Sequence, residues 1–199
     1  FNLNLSPYSF SMPDIGWAVI VLIVGIAVGA FYLIVDSKLE KQLTRARKDQ
    51  TIILAAAGGL GLGILAAIEP LALFSGHEGI RTLSENAASQ TAWFLASVVV
   101  IKVAATSLCL ATGWKGGRFF PLMFAGAASG LFVATIFASI SPALAIAVGM
   151  TGTLAFVLQK PILAAILLFC FFPMNLWIFI AAAAVIAGNA GKKIQLTTV

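Results

Sequence analysis

Long apolar runs, separated by prolines and short polar intervals, organise this chain. The first extends from Ile15 to about Lys38, and the second from Thr51 to Ile68, where Glu69-Pro70 halts it as a proline halts a helix. Further runs cover Thr91 to Ala111, Phe119 to about Ile140, Pro142 to Leu158, Pro161 to Phe172 and Asn175 to Ala187. Two stretches, Phe119 to Gln159 and Pro161 to Gly191, contain no Asp, Glu, Lys or Arg, so the pattern predicts membrane-embedded helices. Several are shorter than the roughly 20 residues that cross a bilayer unaided. Short, proline-started, glycine-interrupted helices are expected where helices end inside the membrane around a site, as in transporters and channels. The fold class read here is an all-α integral membrane protein.

The polar intervals divide the chain further. Residues 1–14 form a Pro-punctuated polar loop with neither the basic start nor the apolar core of a signal peptide, and residues 15–199 form the membrane domain. Ser37 to Gln50 alternates Lys38, Glu40, Lys41, Arg45, Arg47, Lys48 and Asp49, which suits a solvated helical extension and turn. The positive-inside rule puts Lys38 to Lys48 on the cytoplasmic side, and the cell membrane is the expected location. Leu71 to Gln90 reads as a short amphipathic surface helix with loops. Within the first run, Gly25 and Gly29 share one helix face; this spacing fits a close helix contact and a lipid-facing stretch equally well. Gly58, Gly59, Gly61 and Gly63 point to tight packing of the second run.

Composition narrows the class. Of 199 residues, 61% are hydrophobic and 10% charged, against about half and about a quarter in a soluble domain. Disordered and nucleic-acid-binding chains need more charge, so neither reading survives. The net charge of +5 is no nucleic-acid footprint, because five of the twelve basic residues fall between Lys38 and Lys48. Lys102 sits inside an apolar run and needs a partner, a wet cavity or a snorkelling route. Cys109 and Cys170 lie in apolar runs and read as packing residues. His77 beside Glu78 is the only histidine site, with no cysteine near it, so no metal centre is expected. No His-Glu-x-x-His helix or Gly-x-Ser-x-Gly elbow is present, and no enzymatic activity, catalytic residue or cofactor is expected.

The most informative stretch is Gly113-Trp-Lys-Gly-Gly-Arg-Phe-Phe-Pro121, which leads a side-chain-poor backbone into an uncharged helix. The first amides of such a helix have no intrahelical acceptor, and the positive end of the helix dipole lies behind them. N–H groups around Arg118 and Phe119 could hold an anion without a full cationic charge. Gly116 and Gly117 would admit the ion to the backbone, Pro121 fits the first helical turn, and the Phe119 ring could line a path. An ion held by partial charges can also leave, which conduction requires. On these residues alone, a plain re-entrant turn fits equally well.

Gly116-Gly-Arg-Phe-Phe-Pro121, followed by Leu-Met-Phe-Ala-Gly-Ala-Ala-Ser-Gly130, resembles the Gly-x-Phe-x-Pro signature and trailing Gly-Ala-x-x-Gly of the CLC chloride channel and transporter family. Lys102 to Gly113 resembles the family's helix leading into that signature. Val148-Gly-Met-Thr-Gly-Thr-Leu-Ala155 and Gln159-Lys-Pro-Ile-Leu163 resemble two further family elements downstream. The resemblance spans roughly Ile15 to Lys193 and corresponds to the C-terminal, second inverted-repeat half of a CLC subunit, with short, re-entrant and tilted helices.

That resemblance implies a chloride or similar anion as transported ligand, bound by Gly116, Gly117, Arg118, Phe119, Phe120 and Pro121. It implies channel or anion/proton exchanger activity, a homodimer in lipid built partly from Pro161 to Ala187, and an N-terminal half of the same subunit to complete the pore. The family's gating glutamate and serine-loop motifs do not occur here. Gln195 stands where the family usually has a pore tyrosine and is a candidate pore-lining residue; Cys170 stands near a usual glutamate, and Arg118 at a variable position could raise anion affinity or face water. A rival expectation is a transport-incompetent half-subunit that acts as a membrane assembly module.

Overall fold

The computed structural model describes residues 8–72, 77–85 and 89–197; side chains at 44–49, 72, 77–78, 84–85 and 195–197 lie outside the described set. The described residues form eight α-helices and no strand: α1 Asp14–Asp49, α2 Thr51–Ile68, α3 His77–Glu85, α4 Ala92–Ala111, α5 Phe119–Ile136, α6 Pro142–Leu158, α7 Pro161–Phe169 and α8 Trp177–Thr197. Five of the helical segments are long and apolar enough to cross a membrane, whereas α6, at 17 residues, and α7, at 9, are shorter. The chain is an all-α integral membrane protein.

Local chemistry sets the helix ends. The Asp14 carboxylate accepts from the Ser11 N–H (2.9 Å) and the Tyr8 hydroxyl (2.6 Å), closing the entry to α1. Burial and that carboxylate push the Tyr8 phenol above its ordinary pKa. Asn175 donates to the Tyr8 carbonyl (2.5 Å), so residues 8–13 are fastened to the approach to α8. Thr91 caps α4 by accepting from the Phe94 N–H (3.4 Å). Prolines open α6 and α7, where their missing N–H costs no helix hydrogen bond.

α1 runs on through the charged interval, as the expected helical extension, to Asp49, giving 36 residues, or about 54 Å. That exceeds the roughly 30 Å of a hydrocarbon core, so α1 must tilt or project beyond it. α5 stops at Ile136, because Phe137 to Ile140 makes a turn closed by the Ile140 N–H to the Phe137 carbonyl (3.0 Å). α7 ends at Phe169 rather than Phe172, and Met174–Leu176 is a 3-10 turn before α8. α8 continues past Ala187 to Thr197, through two glycines set against neighbouring backbone and proline.

α6 is the centre of the packing, buried continuously from Ala143 to Phe156, with α1, α5, α7 and α8 around it. Small residues permit this approach. A Cβ on Gly126 would stand 2.6 Å from the Gly149 carbonyl oxygen and 2.7 Å from Met150 Cα, and one on Gly130 would strike the Ala145 carbonyl. Since 126 faces 149 and 130 faces 145, α5 and α6 run antiparallel. On the other side, a Cβ on Gly25 would reach the Gly149 oxygen at 3.0 Å and one on Gly29 would reach Phe156 Cδ1 at 2.9 Å. The Gly25/Gly29 pair therefore forms a helix contact.

α2 packs at the edge, on α4. A Cβ on Gly58 would strike Thr112 and one on Gly61 would lie 2.7 Å from Leu108 Cδ2, while Gly63 faces open space. α3 lies against α5 with Ile80 and Leu83 fully buried, so its apolar face belongs to the core. His77 and Glu78 occupy its first turn; their side chains are outside the described set.

Candidate anion site at the start of α5

The end of α4 aims the loop that leads to α5. Gly113 takes a left-handed conformation (φ 93°), its N–H bonds to the Leu110 carbonyl (3.1 Å), and the Trp114 N–H bonds to the Cys109 carbonyl (3.0 Å). These two bonds form a Schellman motif, which favours glycine at the left-handed position. The Trp114 indole N–H then donates to the Ala55 carbonyl of α2 (3.0 Å), fixing the loop to a second helix.

Beyond this anchor, Lys115 to Phe120 are exposed. No atom lies within 4 Å of a Cβ placed on Gly116 or Gly117, so the backbone there is open to approach. Phe119 begins α5, whose first turn closes with the Leu122 N–H on the Arg118 carbonyl (3.1 Å). Pro121 is the third residue and brings no N–H, leaving Arg118 and Phe119 as the amides that lead into this end. α5 and α6 carry no charged residue, so the helix dipole is undiluted along their length.

Gly116, Gly117, Arg118, Phe119, Phe120 and Pro121 thus form one contiguous, outward-facing turn. Gln195 lies in the last turns of α8, with its side chain outside the described set. Arg118, left open between anion and water, pairs across helices with Asp36 of α1, Nη2 to Oδ2 3.5 Å. Asp36 was not singled out in the sequence, although an acid inside an apolar run is the available signal. Lys102 is 1% exposed and holds its Nζ 5.0 Å from the centroid of the Phe124 ring, so the buried cation lies over an aromatic face. Cys109 and Cys170 are free thiols. Among the described residues, no three of His, Cys, Asp and Glu gather as a metal-binding group.

Fold and loop together define a multi-helix membrane protein with an open helix N-terminus at the start of α5. The chain belongs to the voltage-gated chloride channel family: the family model described as "Voltage gated chloride channel" matches residues 1–191. It is 28% identical over 205 residues to "Putative ion-transport protein YfeO" of Salmonella newport (strain SL254) and of Salmonella typhimurium (strain LT2), covering 95% of this chain and 49% of each relative. The protein of the same name from Escherichia fergusonii is 26% identical over 208 residues, covering 97% of this chain and 49% of that relative. The chain therefore spans about half the length of these curated relatives. No solved structure matches it.

Proposed function

We propose that the full-length protein moves chloride or a similar anion across the membrane, as a channel or an anion/proton exchanger. Backbone amides at the start of α5 bind the ion in transit, within the turn formed by Gly116, Gly117, Arg118, Phe119, Phe120 and Pro121. The observation that carries this reading is the unobstructed Gly116-Gly117 backbone immediately ahead of the uncharged α5. A helix N-terminus attracts an anion with partial charges, strongly enough to admit it and weakly enough to release it. The chain supplies the second half of the pore, with an N-terminal half of the same subunit opposite it and Gln195 lining the path. The assembly is a homodimer in the cell membrane, with Lys38 to Lys48 on the cytoplasmic side.

Chloride efflux from vesicles containing the full-length protein tests this. Gly117→Pro fixes φ and removes an N–H beside the site, so efflux should be lost while the thermal unfolding midpoint is kept. Undiminished efflux from the folded variant would contradict the reading. A second reading is a transport-incompetent half-subunit that serves membrane assembly; it predicts partner-chain capture without chloride efflux.

A further inference from the structure

Asp36 and Arg118 come from different helices and differ in exposure: the carboxylate side chain is 11% exposed and the guanidinium 47%. One turn earlier on α1, Tyr32 is fully buried and its hydroxyl makes no hydrogen bond. A buried hydroxyl left without a partner is rare enough to need a reason. Positions four apart share a helix face, and the Tyr32 hydroxyl interacts electrostatically with both Asp36 and Arg118. Asp36 thus has two partners in reach: the guanidinium it is paired with, and the Tyr32 hydroxyl, which lies close enough to interact with it and has no other hydrogen-bond partner.

We propose that Asp36 is an exchangeable counter-ion for Arg118. With no anion at the start of α5, the carboxylate neutralises the guanidinium; when an anion arrives, the guanidinium turns to it and the carboxylate is received by the Tyr32 hydroxyl. The inference rests on the reading of the α5 N-terminus as an anion site. A full cation added to that terminus would hold an anion too firmly for transport. A competing carboxylate cancels most of this excess and, on returning, displaces the ion. Glu40, one turn further along α1, adds a like charge felt by Asp36, so movement toward Tyr32 also relieves repulsion. Asp36 and Tyr32 are positioning residues, acting on the anion through Arg118.

Chloride titration calorimetry on the purified full-length protein separates the outcomes. Asp36→Asn should tighten chloride about tenfold, by removing the competitor, and slow efflux. Tyr32→Phe should weaken chloride, because the carboxylate loses its alternative partner and competes harder. In the Asp36→Asn background, Tyr32→Phe should have no effect, a dependence that a merely structural tyrosine would not show. Unchanged affinity in Asp36→Asn, or an undiminished Tyr32→Phe effect in the double variant, would overturn the inference. If Asp36→Asn does not fold, Asp36→Asn with Arg118→Gln leaves neither charge, and Tyr32→Phe must again be silent there. Absence of chloride binding in the unmodified protein would instead overturn the reading of α5.

Discussion

The Thr153 hydroxyl of α6 donates to the Gly25 carbonyl of α1 at 2.9 Å, joining residues 128 positions apart in a buried contact. This bond forms because Gly25, Gly149 and Gly152 bring the two backbones together. Thr153→Val keeps the shape and removes the donor. We expect a loss of about 0.6 kcal/mol, and no more than about 1.7 kcal/mol, as for hydrogen bonds between membrane helices, read from reversible unfolding in detergent.

The antiparallel crossing of α5 and α6 gives a larger expected effect. Gly126→Val places branched carbons where the Gly149 oxygen stands 2.6 Å from a single Cβ, so the helices must separate. Destabilisation of at least about 1–3 kcal/mol follows from overpacking, and because α5 moves, chloride binding should weaken as well. Gly63→Ala serves as the comparison: nothing lies within 4 Å of its Cβ, and a helical glycine replaced by alanine should leave stability unchanged or raise it by up to about 1 kcal/mol.

Two glycines of one loop should respond differently to the same substitution. Gly113 has φ 93°, where an L side chain costs about 1–2 kcal/mol; Gly113→Ala should therefore lower the unfolding midpoint. Gly117→Ala meets no atom, so stability should hold while chloride efflux falls, as a methyl group occupies the approach to the amides.

Much of this fold could be read from residue order. The limits of α2, Thr51–Ile68, and of α6, Pro142–Leu158, coincide with the apolar runs because Pro70 and Pro142 punctuate them. The charged interval Ser37 to Gln50 reads as a helical extension, and α1 does run to Asp49. The reach of α8 past Ala187 is not legible, because Gly188 and Gly191 serve contacts with Pro161 and Phe156 rather than termination. The Gly116 to Pro121 turn was visible because its chemistry is local. The Asp36–Arg118 pair and the Tyr32 hydroxyl were not, since an ion pair between α1 and α5 depends on how α1 crosses the bundle, which no local pattern encodes.

The central claim is that backbone amides at the start of α5 hold the anion, and bromide anomalous scattering from crystals of the full-length protein tests it most directly. The account predicts a bromide peak within hydrogen-bonding distance of the amides at Arg118 and Phe119, lost in Gly117→Pro. Bromide bound instead at the Lys115 side chain, with the start of α5 empty in a protein that conducts, would contradict it.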